Sequence, residues 1–211
     1  MEKKTYTVND PEFWSSHYQD ENHPWDLGGS NPVFSGLLAK EQFPIMPSES
    51  YAPSLMIPGC GLGHDAIHFA KEGFAVTAID FAKEPIEQLK TRAEEEGVSV
   101  DARVLDVFSL PETLKDTQDI ILEYTCFCAI DPSRRDEYVG VLSSTLRKGG
   151  HLLALVFPIW DRKEGPPYAV CPDQWEEAAK RHGLQVKQRG PSEDSHPARA
   201  AHETLIIFQK E

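Results

Sequence analysis

Positive charge is scarce in this 211-residue chain: 21 lysines and arginines stand against 34 aspartates and glutamates, a formal charge of −13. A field of that sign repels phosphate backbones and anionic lipid, which disfavours a nucleic-acid substrate and a membrane-surface role. Cysteine is sparse too. Cys60, Cys126, Cys128 and Cys171 form no CxxC pair and no zinc-like grouping. Cys126 and Cys128 alternate along an expected strand and so point the same way, which suits buried thiols in a reducing compartment better than a bridge. Long apolar runs are missing. The longest, Leu152 to Trp160, is about half a membrane span and is broken by Pro158. The N-terminal MEKKTYTVNDPEFW lacks the apolar core of a secretion signal. The expectation is a soluble cytoplasmic monomer that handles a small-molecule substrate, with no nucleic acid and no membrane among its partners.

What is present is an ordinary globular composition, 40% hydrophobic and 26% charged, at a length that fits one domain. No repeat or linker divides the chain. The first fifty residues are aromatic and proline-rich, with helical patterns at Pro11 to Tyr18 and Val33 to Lys40, and read as an N-terminal cap (residues 1–54) on a core of residues 55–211 within the same domain. From Leu55 onward strand and helix alternate. Strands are expected at Leu55 to Ile57, Ala75 to Ile79, Val100 to Leu105, Asp119 to Cys128, Leu152 to Phe157, Leu184 to Gln188 and Glu203 to Phe208. Helices are expected at His64 to Glu72, Glu84 to Glu96, Arg134 to Leu146 and Pro172 to His182, with Gly73 and Gly97 as stops. Short buried strands separated by helices of this length imply an α/β fold: a doubly wound, mostly parallel seven-stranded sheet finished by an antiparallel hairpin.

Ile57-Pro58-Gly59-Cys60-Gly61-Leu62-Gly63-His64-Asp65 joins the first strand to the first helix of that core. Glycines there let the backbone approach a ligand beyond the carboxyl edge of the sheet. The spacing is GxGxG, with the third glycine one residue earlier than in the dinucleotide fingerprint, and no GK[ST] follows to hold phosphates. That pattern suits a nucleoside with an amino-acid tail rather than a nicotinamide dinucleotide. Asp80, ending the second strand, is placed to accept both ribose hydroxyls. Asp106, ending the third, is placed to accept from an adenine amino group, with Val107 flanking the ring. Taken singly, either aspartate reads equally well as a turn cap.

Pro24-Trp25-Asp26, Pro58-Gly59-Cys60-Gly61, Cys128-Ala129-Ile130-Asp131-Pro132 and Gly165-Pro166-Pro167-Tyr168 fall in order along nearly the whole chain. Together they resemble the thiopurine methyltransferase superfamily, and within it the halide and thiol methyltransferase branch. The resemblance implies a Rossmann-like methyltransferase fold and S-adenosyl-L-methionine as cofactor. It implies cofactor contacts from Trp14, Tyr18, Trp25, Gly59, Asp80, Asp106, Val107 and Tyr124, with Tyr18 standing where tryptophan is usual. The thiopurine enzymes differ at Tyr124, where they carry an arginine.

The aromatics also have a reading of their own. Trp14 and Tyr18 share a helix face at i, i+4, and such rings can cover a sulfonium. A halide or thiolate acceptor arrives already anionic, so methyl transfer to it needs no general base, and no catalytic residue is assigned. Phe157 and Tyr168, near the end of the fifth strand, are candidate substrate contacts. His64 and His68 form an HxxxH pair without a third ligand, so no metal is expected. His23 is a conceivable proton relay, and Glu94 to Glu96 a solvated helix face. Transfer to an aromatic or heterocyclic thiol, and a non-catalytic adenosyl-binding regulator, stand as alternatives.

Overall fold

The computed structural model describes residues 5–20, 23–161 and 164–211. Two short helices open it, α1 (Pro11–Gln19) and α2 (Pro32–Ala39), each with a proline in its first turn, where the missing N–H costs nothing. The Asn31 side chain caps α2 by accepting from the Val33 N–H at 2.9 Å.

The remaining chain alternates: β1 (Ser54–Pro58), α3 (His64–Lys71), β2 (Ala75–Asp80), α4 (Lys83–Glu95), β3 (Val100–Val104), α5 (Leu110–Thr113), β4 (Gln118–Tyr124), α6 (Arg135–Thr145), β5 (Leu146–Val156), α7 (Pro172–Arg181), β6 (Leu184–Gly190) and β7 (Thr204–Lys210). The seven strands form one sheet in the order β3-β2-β1-β4-β5-β7-β6. β7 alone runs antiparallel, paired with β5 on one side and β6 on the other. The doubly wound, mostly parallel sheet and its closing hairpin are as the sequence pattern indicates.

Apolar side chains leave both faces of the central strands, as strands covered on both sides require. Leu55, Ile57, Ile120 and Leu122 point to one face, against Phe34 of α2, Phe69 of α3 and Leu89 of α4. Met56, Ile121, Leu152 and Ala154 point to the other, against Tyr138 of α6 and Trp175 of α7. The chain reverses its strand order between β1 and β4, and a crevice opens at the carboxyl ends there, where such folds hold ligands.

Two strands differ from expectation, and the short helix α5 stands where none is expected. β4 stops at Tyr124, because Thr125 takes φ +62° and turns the chain. Cys126 and Cys128 therefore lie in the following loop and not on a strand. β5 begins early, at Leu146, and its pairing jumps from Gln118–Leu146 to Ile120–His151, so Lys148-Gly149-Gly150 forms an irregularity within the strand and not a stop before it.

Candidate active site

The glycine loop after β1 is held from several sides. The Cys60 N–H donates to the Ile79 carbonyl of β2 at 2.9 Å, and Arg92 of α4 donates to the Leu62 carbonyl at 2.8 Å. Gly63 starts α3 at φ +73°, and a Cβ there would run into the Leu89 side chain. Gly59 sits at φ +58°, where an added Cβ would lie 2.9 Å from Cys126 Sγ. Here glycine is needed both for the dihedral and for the approach of two loops.

Those two loops floor a cavity of about 500 Å³. Asp80 lines it from the end of β2, nearly buried, with Oδ2 accepting from the Gly61 N–H and Oδ1 from the Ala82 N–H, both at 2.9 Å. Burial pushes its pKa up to about 6, against the pull of those two donors. Each carboxylate oxygen retains lone-pair capacity for a ribose hydroxyl. Asp106 lines the cavity from the end of β3; its Oδ1 caps the following turn by accepting from the Phe108 N–H at 3.0 Å, and its other oxygen has no hydrogen-bond partner among the described residues. Val107, Leu105, Ile79 and Ile130 give the same end of the cavity apolar walls suited to a purine ring.

The cap covers the opposite side. Trp14 packs edge-on against Trp25, with centroids 5.8 Å apart, and Tyr18 does the same at 5.7 Å. Trp14 is fixed by its indole N–H, which donates to the Val8 carbonyl at 2.9 Å. All three rings line the cavity. Burial raises the Tyr18 hydroxyl far above its usual range, so it stays protonated.

Tyr124 lies apart from the main cavity, in the wall of a smaller one of about 80 Å³ that shares Trp25, Leu27, Gly59 and Thr125 with it. The smaller space brings Asp26, His64 and Asp65 together with apolar side chains such as Phe34 and Leu122. Asp65 accepts from the Asn31 N–H at 2.6 Å, and burial lifts its pKa to about 6. His64 faces Asp26 at 3.2 Å and the Arg92 guanidinium at 3.3 Å, whereas His68 packs edge-on against Phe69. Among the described residues no group of three or more His, Cys, Asp or Glu side chains is arranged to hold a metal ion.

Phe157 lines the main cavity, beside Trp160. Tyr168 does not. Its N–H donates to the Cys128 carbonyl at 2.8 Å and its ring packs under Gly165, so it braces the loop whose Pro166 and Pro167 reach the cavity.

One residue that sequence reasoning missed is Arg199. It is 7% exposed, lines the cavity, and forms no ion pair among the described residues. Its guanidinium donates to the Tyr124 hydroxyl at 2.5 Å and to the Trp25 carbonyl at 2.7 Å, and lies 4.7 Å from the Phe157 ring centroid. A second is Glu123, 1% exposed, whose Oε1 accepts from the Phe127 N–H at 2.7 Å and so ties down the loop after β4; burial raises its pKa to about 7. Cys126 and Cys128 line the cavity from that loop, and burial pushes the Cys128 thiol up to about 12 and Cys126 well above its usual value. Both are neutral, apolar walls and not nucleophiles.

A carboxylate at each of two successive strand ends, a glycine loop at the end of the neighbouring strand β1 and an aromatic cover define the class: a nucleoside-binding α/β enzyme suited to a sulfonium cofactor. A model of the thiopurine S-methyltransferase family matches residues 9–209, and the chain belongs to that family, whose methyl donor is S-adenosylmethionine. It is 28% identical over 202 residues to thiocyanate methyltransferase 1 of Arabidopsis thaliana, covering 93% of this chain and 84% of that one. It is 24% identical over 219 residues to the thiopurine S-methyltransferase of Photobacterium profundum, covering 94% and 98%. Among solved structures, the 1,6-didemethyltoxoflavin N1-methyltransferase of Burkholderia thailandensis, with S-adenosylhomocysteine bound, superposes at a TM-score of 0.74 and 18% identity over 100% of this chain and 93% of that one. No helix among the described residues is long and apolar enough to cross a membrane.

Proposed function

We propose that this protein methylates a small anionic sulfur or halide nucleophile, such as bisulfide, thiocyanate, iodide or a compact thiolate. The observation that carries the reading is Arg199, a buried cation facing the cavity whose direct partners, the Tyr124 hydroxyl and the Trp25 carbonyl, are neutral and which reaches the Glu203 carboxylate only through Tyr124. A buried charge is costly unless something compensates it, and an incoming anion would do so.

Bound S-adenosylmethionine supplies an electrophilic methyl group on a positively charged sulfur. The residues present fit it. Of the residues that line the cavity, Asp80 would hold the ribose, Asp106 and Val107 the adenine, and Trp14, Tyr18 and Trp25 would cover the sulfonium side. Tyr124 and Gly61 border the smaller space, whose Asp26, His64 and Asp65 suit the amino-acid tail. Pockets that enclose a drug-sized ligand run roughly 300–1,000 Å³, so a cavity of about 500 Å³ is large enough for the cofactor with space left beside it for an acceptor. Arg199 and Phe157 flank that remaining space and would position the acceptor in line while the aromatic cap keeps water out. An anionic acceptor brings no proton to remove, so positioning alone suffices.

The relative named for thiocyanate supports a small acceptor. Incubation with S-adenosylmethionine and a panel of thiocyanate, bisulfide, iodide and aryl thiols tests the reading, with gas chromatography of the methylated products. Preference for a bulky heterocyclic thiol over all small anions would favour the thiopurine-type alternative, to which the family and the Photobacterium relative point.

A further inference from the structure

Arg199 is not held by a salt bridge but by a chain of hydrogen bonds that ends in a carboxylate. Nη1 donates to the Tyr124 hydroxyl at 2.5 Å, and that hydroxyl donates to Glu203 Oε2 at 3.2 Å. The phenol has one proton and two lone pairs, while a guanidinium only donates. The Tyr124 oxygen receives Arg199 on a lone pair, and an acceptor elsewhere fixes the hydroxyl proton away from that bond and so orients the lone pair. Glu203, 5% exposed at the foot of β7, is that acceptor. Burial raises the Tyr124 hydroxyl far above its usual range, so it keeps the proton that this arrangement needs.

Among the described residues no other acceptor takes that proton. Phe34 and Phe157 pack against the Tyr124 ring, with centroids 6.4 and 6.3 Å away, and offer no acceptor. The second arm of Arg199 is fixed independently, by the Trp25 carbonyl at 2.7 Å. Two anchors on two different elements define the plane of the guanidinium, and Glu203 controls one of them. Glu203 does not itself line the cavity, so its influence on an acceptor would pass through Tyr124 and Arg199.

From this geometry we infer that Glu203, acting through the Tyr124 hydroxyl, is the positioning residue that aims Arg199 into the acceptor space and so sets the preference for anionic over neutral acceptors. The inference rests on the proposed anion methyl transfer but is testable apart from it.

Two substitutions separate aim from bulk. Glu203→Gln keeps an acceptor oxygen for Tyr124, whereas Glu203→Leu keeps the size and removes it. With thiocyanate as acceptor, Glu203→Leu should raise KM roughly tenfold, the worth of one misaligned charge-assisted hydrogen bond, while kcat and the affinity for S-adenosylhomocysteine stay near those of the wild type. Glu203→Gln should restore most of the KM, and KM for a neutral aliphatic thiol should move little in either variant. A second readout needs no turnover: thiocyanate titrated into the S-adenosylhomocysteine complex, followed by the fluorescence of Trp25 and Trp160, should show the same loss in Glu203→Leu and the same recovery in Glu203→Gln. Should Glu203→Leu fail to fold, Tyr124→Phe removes the hydroxyl through which Glu203 acts and should reproduce the weakened thiocyanate binding. Wild-type thiocyanate affinity in the Glu203→Leu or Tyr124→Phe protein overturns the inference, as does an equal loss in Glu203→Gln and Glu203→Leu. A wild-type protein that methylates no anion defeats the proposed function instead, and the fluorescence titration still decides the role of Glu203.

Discussion

Arg199 and Trp25 are joined by a hydrogen bond of 2.7 Å across 174 residues of sequence. One end is the carbonyl of a cap residue whose ring lines the cavity, and the other is the guanidinium that faces the acceptor space. The same contact therefore closes the cap and fixes the cation. Arg199→Gln should weaken both. KM for an anionic acceptor is expected to rise roughly 10- to 100-fold, the range of a lost charged hydrogen bond, and thermal unfolding should shift to lower temperature. Steady-state kinetics with thiocyanate and differential scanning calorimetry check the two effects; unchanged KM would remove Arg199 from the acceptor site.

Asp80 is the residue expected to carry most of the nucleoside affinity. Asp80→Ala should weaken S-adenosylhomocysteine binding by roughly ten- to a hundred-fold, as the loss of hydrogen bonds to a charged group implies. Isothermal calorimetry reads this, with circular dichroism to confirm that the sheet survives. Wild-type affinity in that variant would move the ribose elsewhere.

The pH dependence follows from the same carboxylate. Burial raises Asp80 from its ordinary 3.8 to about 6, so it is protonated below that pH and loses acceptor capacity for the ribose. Affinity for S-adenosylhomocysteine should be flat above about pH 7 and fall as pH drops through about 6, by at most roughly tenfold per pH unit. In the ligand-free protein the sign is opposite. An acid whose folded pKa is raised contributes stability that is fully present below 3.8 and lost as pH rises through about 6. Calorimetry near pH 6 in buffers of different ionisation enthalpy should show proton release on binding; no release would contradict the assignment.

The aromatic cover makes a separate statement about charge. Rings facing a sulfonium gain cation–π energy that a neutral thioether does not, about 0.5–2 kcal/mol. Trp25→Leu should therefore weaken S-adenosylmethionine more than S-adenosylhomocysteine, by up to roughly thirtyfold in the ratio of the two dissociation constants. Equal weakening of both would reduce Trp25 to packing.

Gly59 tests the floor of the site. At φ +58° any other residue pays about 1–2 kcal/mol, and its Cβ would meet Cys126 Sγ at 2.9 Å. Gly59→Ala should lower the melting temperature and displace the loop after β4, with loss of cofactor affinity. Thermal unfolding and calorimetry together detect it; a variant with wild-type stability and affinity would show that the floor can yield.

What was legible in the sequence is what depends on local spacing. Gly59, Asp80 and Asp106 sit at the ends of three successive strands, and apolar runs punctuated by glycine locate those ends within a residue or two. Trp14 and Tyr18 are four residues apart on one helix, so their shared face could be read directly. The failures have the opposite character. Arg199 lies in a stretch without apolar period, and its partners, Trp25 and Tyr124, are brought to it only by the tertiary fold. Cys126 and Cys128 look like a continuation of β4 because nothing in their side chains announces the left-handed turn at Thr125. Glu123 hides inside an apolar strand pattern, and only the loop folded back over it reveals what its carboxylate accepts from. Tyr168 reads as a substrate contact because it lies near the end of the fifth strand, yet the part of that loop that reaches the cavity is Pro166-Pro167.

The most direct measurement is methyl transfer itself, using S-adenosylmethionine labelled in its methyl group with thiocyanate, bisulfide and iodide as separate acceptors, for the wild-type protein and for Asp80→Ala. The expected result is a labelled volatile product from at least one small anion, with the rate at limiting cofactor sharply reduced in the variant. Undiminished transfer by Asp80→Ala, or no labelled product from any of the three anions, would contradict a buried adenosyl site serving a small anionic acceptor.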